Sequence, residues 1–211
     1  MKIKISLLLL IFIFTACTEK KANPQLSDVI AVEIGDLNDD GLNEKVVVYD
    51  TRDTTEFGIV REIQILKKEN GIWTVWSKSK NAILKSYDGG MFGDPFIGIK
   101  IKNGILLIEH YGGGGSFSWH TLDKYRFQNN NFELIGITNH GEEAGSKGST
   151  DFNLSTGKLK KEHFDFINGD YFLNESKSET FYKKGIQINL SNRNNNELII
   201  TSPKTGKDYY L

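Results

Sequence analysis

The chain has 211 residues, with 26 lysines and arginines against 27 aspartates and glutamates, for a formal net charge of −1. That balance is not basic enough to gather a polyanion, so nucleic acid is not an expected partner. With 13 Phe, 8 Tyr, 3 Trp and only 3 Pro, the composition excludes a disordered polymer, and a lone cysteine excludes any internal disulfide.

At the N-terminus Lys2 and Lys4 precede an apolar run from Ile5 to Phe14, and the small residues Thr15 and Ala16 stand directly before Cys17. This is the layout of an export signal over residues 1–16. A membrane-spanning helix needs ~20 apolar residues; this run is shorter, and Thr18-Glu19-Lys20-Lys21 follows it at once. The segment Phe14-Thr15-Ala16-Cys17 resembles a bacterial lipobox, in which a peptidase cuts before a cysteine that carries a diacylglyceryl thioether and an N-acyl chain. Leucine is commoner where Phe14 stands, and the bland alternative is an ordinary cleavage site with an incidental cysteine. The resemblance implies lipidation at Cys17 and a lipid bilayer as partner, since two or more acyl chains hold firmly where one binds marginally. Thr18 stands where an aspartate tends to mean inner-membrane retention, so an extracytoplasmic, outer-membrane location is implied for a two-membrane cell.

Residues 17–27 are polar, contain Pro24 and read as a tether; residues 28–211 follow as a β-rich domain. Val29 to Ile34, Lys45 to Tyr49, Val60 to Leu66, Ile72 to Trp76, Ile97 to Ile101 and Ile105 to His110 are short runs of β-branched and aromatic residues, which predicts strands. Asn70-Gly71, Asn103-Gly104 and Asn168-Gly169 supply the positive φ of tight hairpins. Phe96 to Ile101 with Ile105 to Tyr111 makes the clearest pair, and Thr121 to Phe127 with Phe132 to Ile137 a second. Further pairs are expected around Ser155-Thr156-Gly157, around Asn192 to Asn196, and around Lys204-Thr205-Gly206, with a strand at the end. No helical period emerges, although Asn81 to Ser86 suits a single turn. The polar, glycine-containing stretch His140 to Thr150 reads as a long exposed loop and a possible boundary between two β subdomains. The expected fold is mainly β, with antiparallel sheets in a sandwich, a partly closed barrel or propeller-like hairpins.

Between the first two strands, Asp36, Asn38, Asp40 and Glu44 place oxygen side chains at alternate positions, with the Leu42 carbonyl among them and Gly41 at the turn. Calcium takes 6–8 oxygen ligands at ~2.3–2.6 Å, which such a loop can supply. An EF-hand is excluded, because Val47 occupies the position of its bidentate glutamate and strands flank the loop. Gly35-Asp-Leu-Asn-x-Asp-Gly41 followed by Lys45-Val-Val-Val-Tyr49 instead resembles the calcium hairpin of FG-GAP and VCBS repeats, with Glu44 replacing their final aspartate. The resemblance implies a structural Ca²⁺ held by Asp36, Asn38, Asp40, Leu42 and Glu44. It covers one hairpin without a second copy, so it implies no propeller. The alternative is an Asx-rich turn that holds no metal.

Further on, Asp88-Gly-Gly-Met-Phe-Gly-Asp-Pro-Phe96 and Glu109-His-Tyr-Gly-Gly113, with Trp119 after them, resemble an uncharacterised family of exported bacterial proteins; this supports the architecture and implies no activity. Glycines here leave backbone uncrowded, with Tyr87, Phe92, Asp94, Tyr111, Phe117 and Trp119 beside it. These six are the candidate ligand-binding residues, against the alternative of a loop packed on its own aromatics. No Gly-x-Ser-x-Gly stands in the chain. Glu109 and His110 adjoin on a strand and so face opposite ways. His110, His120, His140 and His163 lack zinc spacing. The reading is therefore a membrane-anchored lipoprotein with a calcium-stabilised, non-catalytic module for an envelope protein or glycan. The alternatives are an envelope glycan hydrolase, whose paired carboxylates sequence cannot pair up, or an inhibitor or immunity-type protein.

Overall fold

The computed structural model of the protein describes residues 28–194 and 198–211. The export signal, Cys17 and the tether lie outside the described residues, as do Asn195 and Asn196 of one expected turn. Fourteen strands account for most of what is described: β1 (Val29–Gly35), β2 (Glu44–Thr55), β3 (Gly58–Glu69), β4 (Ile72–Ser79), β5 (Phe96–Lys102), β6 (Ile105–Gly114), β7 (Phe117–Gln128), β8 (Asn131–Glu143), β9 (Ser146–Asn153), β10 (Lys158–Ile167), β11 (Asp170–Leu173), β12 (Glu179–Tyr182), β13 (Ile199–Thr201) and β14 (Asp208–Tyr210). The named strand pairs are all antiparallel.

Sheet order follows chain order because the turns are tight. β1 to β4 form one meander, β5 to β11 form a longer one with β12 added beside β10, and β13 and β14 pair separately. The asparagines of the connecting dipeptides take the left-handed conformation their turns require, with φ 50° at Asn70, 52° at Asn103 and 54° at Asn168. Asn129 and Asn130 do the same between β7 and β8, so these hairpins carry the twist that suits paired strands. The first and last strands of the long sheet do not pair with each other among the described residues, so no barrel closes. The fold is a mainly-β, sandwich-like arrangement, as expected.

Two expectations are corrected. His140 to Thr150 is not a loop: β8 and β9 pair through it from Gly136↔Asn153 to Glu143↔Ser146, leaving Ala144 and Gly145 as the turn and the sheet unbroken. Its polar residues suited a strand because much of this hairpin lies at the solvent-facing end of the sheet. Asn81 to Ser86 makes no helical turn: residues 81–83 are bends, and although the Ser79 hydroxyl accepts the Asn81 and Ala82 N–H groups as a helix cap would, no helix follows.

A single apolar cluster joins the sheets. Val46, Val48, Ile63 and Ile65 from the short sheet meet Leu106, Ile108, Tyr125, Phe132, Ile137, Phe152 and Leu159 from the long one, with Leu190 and Ile200 from the C-terminal segment. Burying one such side chain contributes ~1.5–3 kcal/mol. Where the sheets approach at β1 and β5, the Ile101 side chain lies so near Gly35 that a Cβ there would stand 2.8 Å from it.

Candidate functional site

The loop between β1 and β2 is built from its own backbone. Asp36 accepts N–H bonds from Asn38, Asp39 and Gly41 at 3.2, 2.7 and 2.8 Å, and Asp40 accepts from Leu42 at 2.8 Å. Asn38 donates to Asp40 at 2.9 Å. Glu44 is buried and accepts from the Leu37 N–H at 2.8 Å. The Gly41 N–H leads in holding Asp36 below the usual carboxylate range, whereas burial, reinforced by Asp40 and Asp36, pushes Glu44 up. An all-oxygen set suits calcium, and the charges of Asp40 and Asp36 bear on Glu44. The arrangement is nevertheless that of a self-bonded turn, and among the described residues no three His, Cys, Asp or Glu side chains gather as they would around an ion.

The second glycine-rich loop, residues 88–95, is stitched into the fold by other elements. Gly113 donates to the Gly89 carbonyl at 2.9 Å, Phe92 to that of Gly113 at 3.2 Å, and Tyr111 to that of Pro95 at 2.8 Å. The Trp119 ring packs against Gly112, where a Cβ would stand 2.4 Å from it and 2.9 Å from the Gly89 Cα. Asp94 grips Arg61 of β3 through two bonds of 2.6 and 2.5 Å. Burial alone would raise Asp94, but the Arg61 bonds outweigh it and hold the carboxyl low. Asp94, grouped with the aromatics on sequence grounds, thus ties the loop to the short sheet.

Of the five candidate aromatics, three line one shallow groove. Phe92 stacks on Tyr111 with centroids 5.7 Å apart and planes 15° from parallel, and Phe117 completes that wall. Facing them are Phe166 and Tyr171 from β10 and β11, which sequence reasoning missed, with Glu142 and Glu143 beside them. All five rings are exposed, from 37% at Tyr171 to 49% at Phe92 and Phe166. Tyr87 is exposed too, but it packs at the turn around Gly58. Trp119 is half-buried and stands between this surface and a cavity behind the sheet.

The cavity, of about 470 Å³, is lined by Trp119, Thr121 and Asp123 of β7, His110 of β6, Asn139 of β8, Leu84 and Asp88 of the preceding loop, and Arg193, Tyr210 and Leu211. Alternation puts Trp119, Thr121 and Asp123 on one face of β7, and His110, Thr121 and Asn139 are cross-strand partners in a row. Asp123 pairs with Arg193 at 2.9 Å, both nearly fully buried. One oxygen each of Asp123 and Asn139 is shut off from solvent without a hydrogen-bond partner, a state that costs ~1–3 kcal/mol per group. His110 accepts the Leu84 N–H through Nε2 at 3.2 Å. Burial, then the charges of Arg61 and Arg193, depress its pKa to about 3, so the ring is neutral with its proton on Nδ1. The signal for this site was in the sequence as Trp119-x-Thr121-x-Asp123, polar residues on the core-facing side of a strand; Arg193 lies too far along the chain to be read with them.

On the opposite face of the same strands, Glu109 and His120 bond at 2.6 Å, and His120 stacks on His140 with centroids 6.1 Å apart. Glu109 and His110 do face opposite ways.

The class these observations define is a mainly-β protein of antiparallel sheets, with a surface groove of aromatics and a polar cavity. Compared with protein-family models, characterised proteins and solved structures, the chain finds no match.

Proposed function

We propose that the chain is a lipoprotein, held by acylated Cys17 on an extracytoplasmic, outer-membrane face, whose β-domain is a non-catalytic module that binds an envelope protein or glycan. The observation that carries the binding role is the groove of five exposed rings, Phe92, Tyr111, Phe117, Phe166 and Tyr171. Aromatic rings supply large contact area at low entropic cost, and anchors of this kind dominate interface energies at ~2 kcal/mol or more each. Hydrolysis of a glycan calls for two carboxylates free to exchange a proton and activate a water. In the cavity Asp123 is engaged by Arg193 and Asp88 accepts the Lys85 N–H at 2.8 Å, which favours binding.

The test is capture from envelope extract on immobilised protein. Wild type retains its partner, and Tyr111→Ala or Phe117→Ala loses it tenfold or more with an unchanged melting midpoint. Equal retention by wild type and both variants would sink the groove as the binding surface. Lipidation is tested beside it: Cys17→Ser abolishes processing and membrane retention, and a variant retained like wild type overturns the anchor.

Calcium enters the same proposal as an ordering ion for residues 36–44, supported by the alternate oxygens and the mutual charge of Asp36, Asp40 and Glu44, which a divalent cation would relieve. Bound at ~100 Kd it would add ~2.7 kcal/mol. Melting midpoints with calcium and with chelator differ if it binds, and Asp40→Ala removes the difference. Identical midpoints in wild type mean the loop is a turn alone.

A further inference from the structure

The polar cavity between β6, β7, β8 and the C-terminal segment has no place in the groove-binding role. We propose that it is a second binding site, for a neutral polyhydroxylated ring, a single sugar residue, recognised by Asp123, Asn139, Thr121 and His110 against the face of Trp119.

Four observations converge on that chemistry. First, Asp123 and Asn139 each hold a side-chain oxygen out of solvent with no donor, and Asp123 itself is 95% buried, with 5% of its surface exposed. A ligand completing this site must therefore bring donors. Second, the buried carboxylate already has its counter-charge: Arg193 answers Asp123 at 2.9 Å and also donates to the Leu211 main-chain oxygen at 3.3 Å, while Asp88 accepts the Lys85 N–H. A charged ligand would compete with that pair, whereas a hydroxyl can donate to the free Asp123 oxygen without breaking it. Third, Thr121 lies between His110 and Asn139 in register, adding a group that both donates and accepts beside the two acceptors. Alternating donors and acceptors match successive hydroxyls on a ring. Fourth, Trp119 packs against Gly112 and lines the cavity, so its indole supplies an apolar part of the wall that the C–H groups of a sugar can meet. At about 470 Å³ the cavity lies in the range of ~300–1,000 Å³ typical of small-molecule sites.

Such a ring comes either free or as the end of a glycan chain, and the experiment separates the two. The full chain, solubilised in a detergent without a sugar headgroup, is titrated calorimetrically with glucose, galactose and N-acetylglucosamine, each as monosaccharide and as disaccharide, and with n-butylamine as a cationic comparator. Saturable binding of at least one sugar is expected. Asn139→Leu weakens it tenfold or more, Thr121→Val severalfold, and Phe117→Ala in the outer groove leaves it unchanged. Binding by monosaccharide alone assigns a free sugar; binding by the disaccharide as well assigns a chain end. Thr121→Val preserves shape, so it carries the test if Asn139→Leu fails to fold. No saturable sugar binding, binding of the amine in place of sugars, or sugar binding indifferent to both cavity variants overturns the proposal. Loss of partner capture by Phe117→Ala with sugar binding intact would keep this site and the groove distinct.

Discussion

The two glycine-containing acidic loops, residues 36–44 and 88–95, look alike in sequence and are held by opposite means. In the first, carboxylates at alternate positions accept N–H bonds from residues two to seven positions away. In the second, the carboxylate of Asp94 reaches an arginine 33 residues away, and the backbone bonds to β6. Local satisfaction makes a loop self-sufficient and tolerant; tertiary satisfaction makes every close approach a constraint. Damage to the second loop should therefore cost more than equivalent damage to the first.

The largest contrast is between two glycines. Gly90, inside the second loop, has φ 69°, and a Cβ there would stand 2.9 Å from the Gly113 carbonyl oxygen of β6, a backbone atom held by the sheet. Gly90→Ala is expected to cost ~3 kcal/mol or more. Gly41, at φ 82° with nothing within 4 Å of a Cβ, pays only the left-handed penalty of ~1–2 kcal/mol. Urea denaturation of the two variants ranks them, and equal losses would erase the distinction between the loops.

Next come the carboxylates. Asp94→Ala leaves the Arg61 guanidinium, 3% exposed, with Asp50 alone at 3.0 Å. Losing one partner of a buried pair costs ~3–5 kcal/mol, and because Asp50 stays and Asp94 is half exposed, ~2–3 kcal/mol is expected. Asp36→Ala, on an exposed loop, removes bonds resembling a helix cap and should cost less. Chemical unfolding that shows Asp36→Ala to be the worse of the two would reverse the comparison.

The last effect is a slope with pH. Unfolded, His110 takes a proton near 6.5; folded, at about 3. Between these values the unfolded chain binds more protons, so stability rises with pH. The contribution is complete above about 6.5 and drains as the pH falls, by up to ~1.4 kcal/mol per pH unit. His110→Gln should flatten the fall in melting midpoint between pH 6.5 and about 4.5. A wild-type slope retained in the variant would assign it to other groups.

Much of the fold was legible because hairpins are local. Asn-Gly dipeptides and alternating apolar runs set φ and facing direction within a few residues, and the observed register follows from them at Asn70, Asn103 and Asn168. The 140–150 hairpin escaped because its strands are polar and their pairing depends on neighbours in the sheet. The candidate site divides in the same way. Phe92, Tyr111 and Phe117 were found through the glycines beside them, whereas Phe166 and Tyr171 joined them only when β10 and β11 came round to the same edge.

By itself, then, the sequence determined a mainly antiparallel β-chain and its main hairpin turns, which rest on interactions spanning a dozen residues or fewer. Tertiary structure alone decided that Asp94 binds Arg61, that His110 is a buried neutral group, and that Asp123 meets Arg193 across 70 residues of chain. Those pairings depend on which strand faces bring distant charges out of water together, and the energy of a charge is set by that desolvation and its partner, not by its neighbours in the chain.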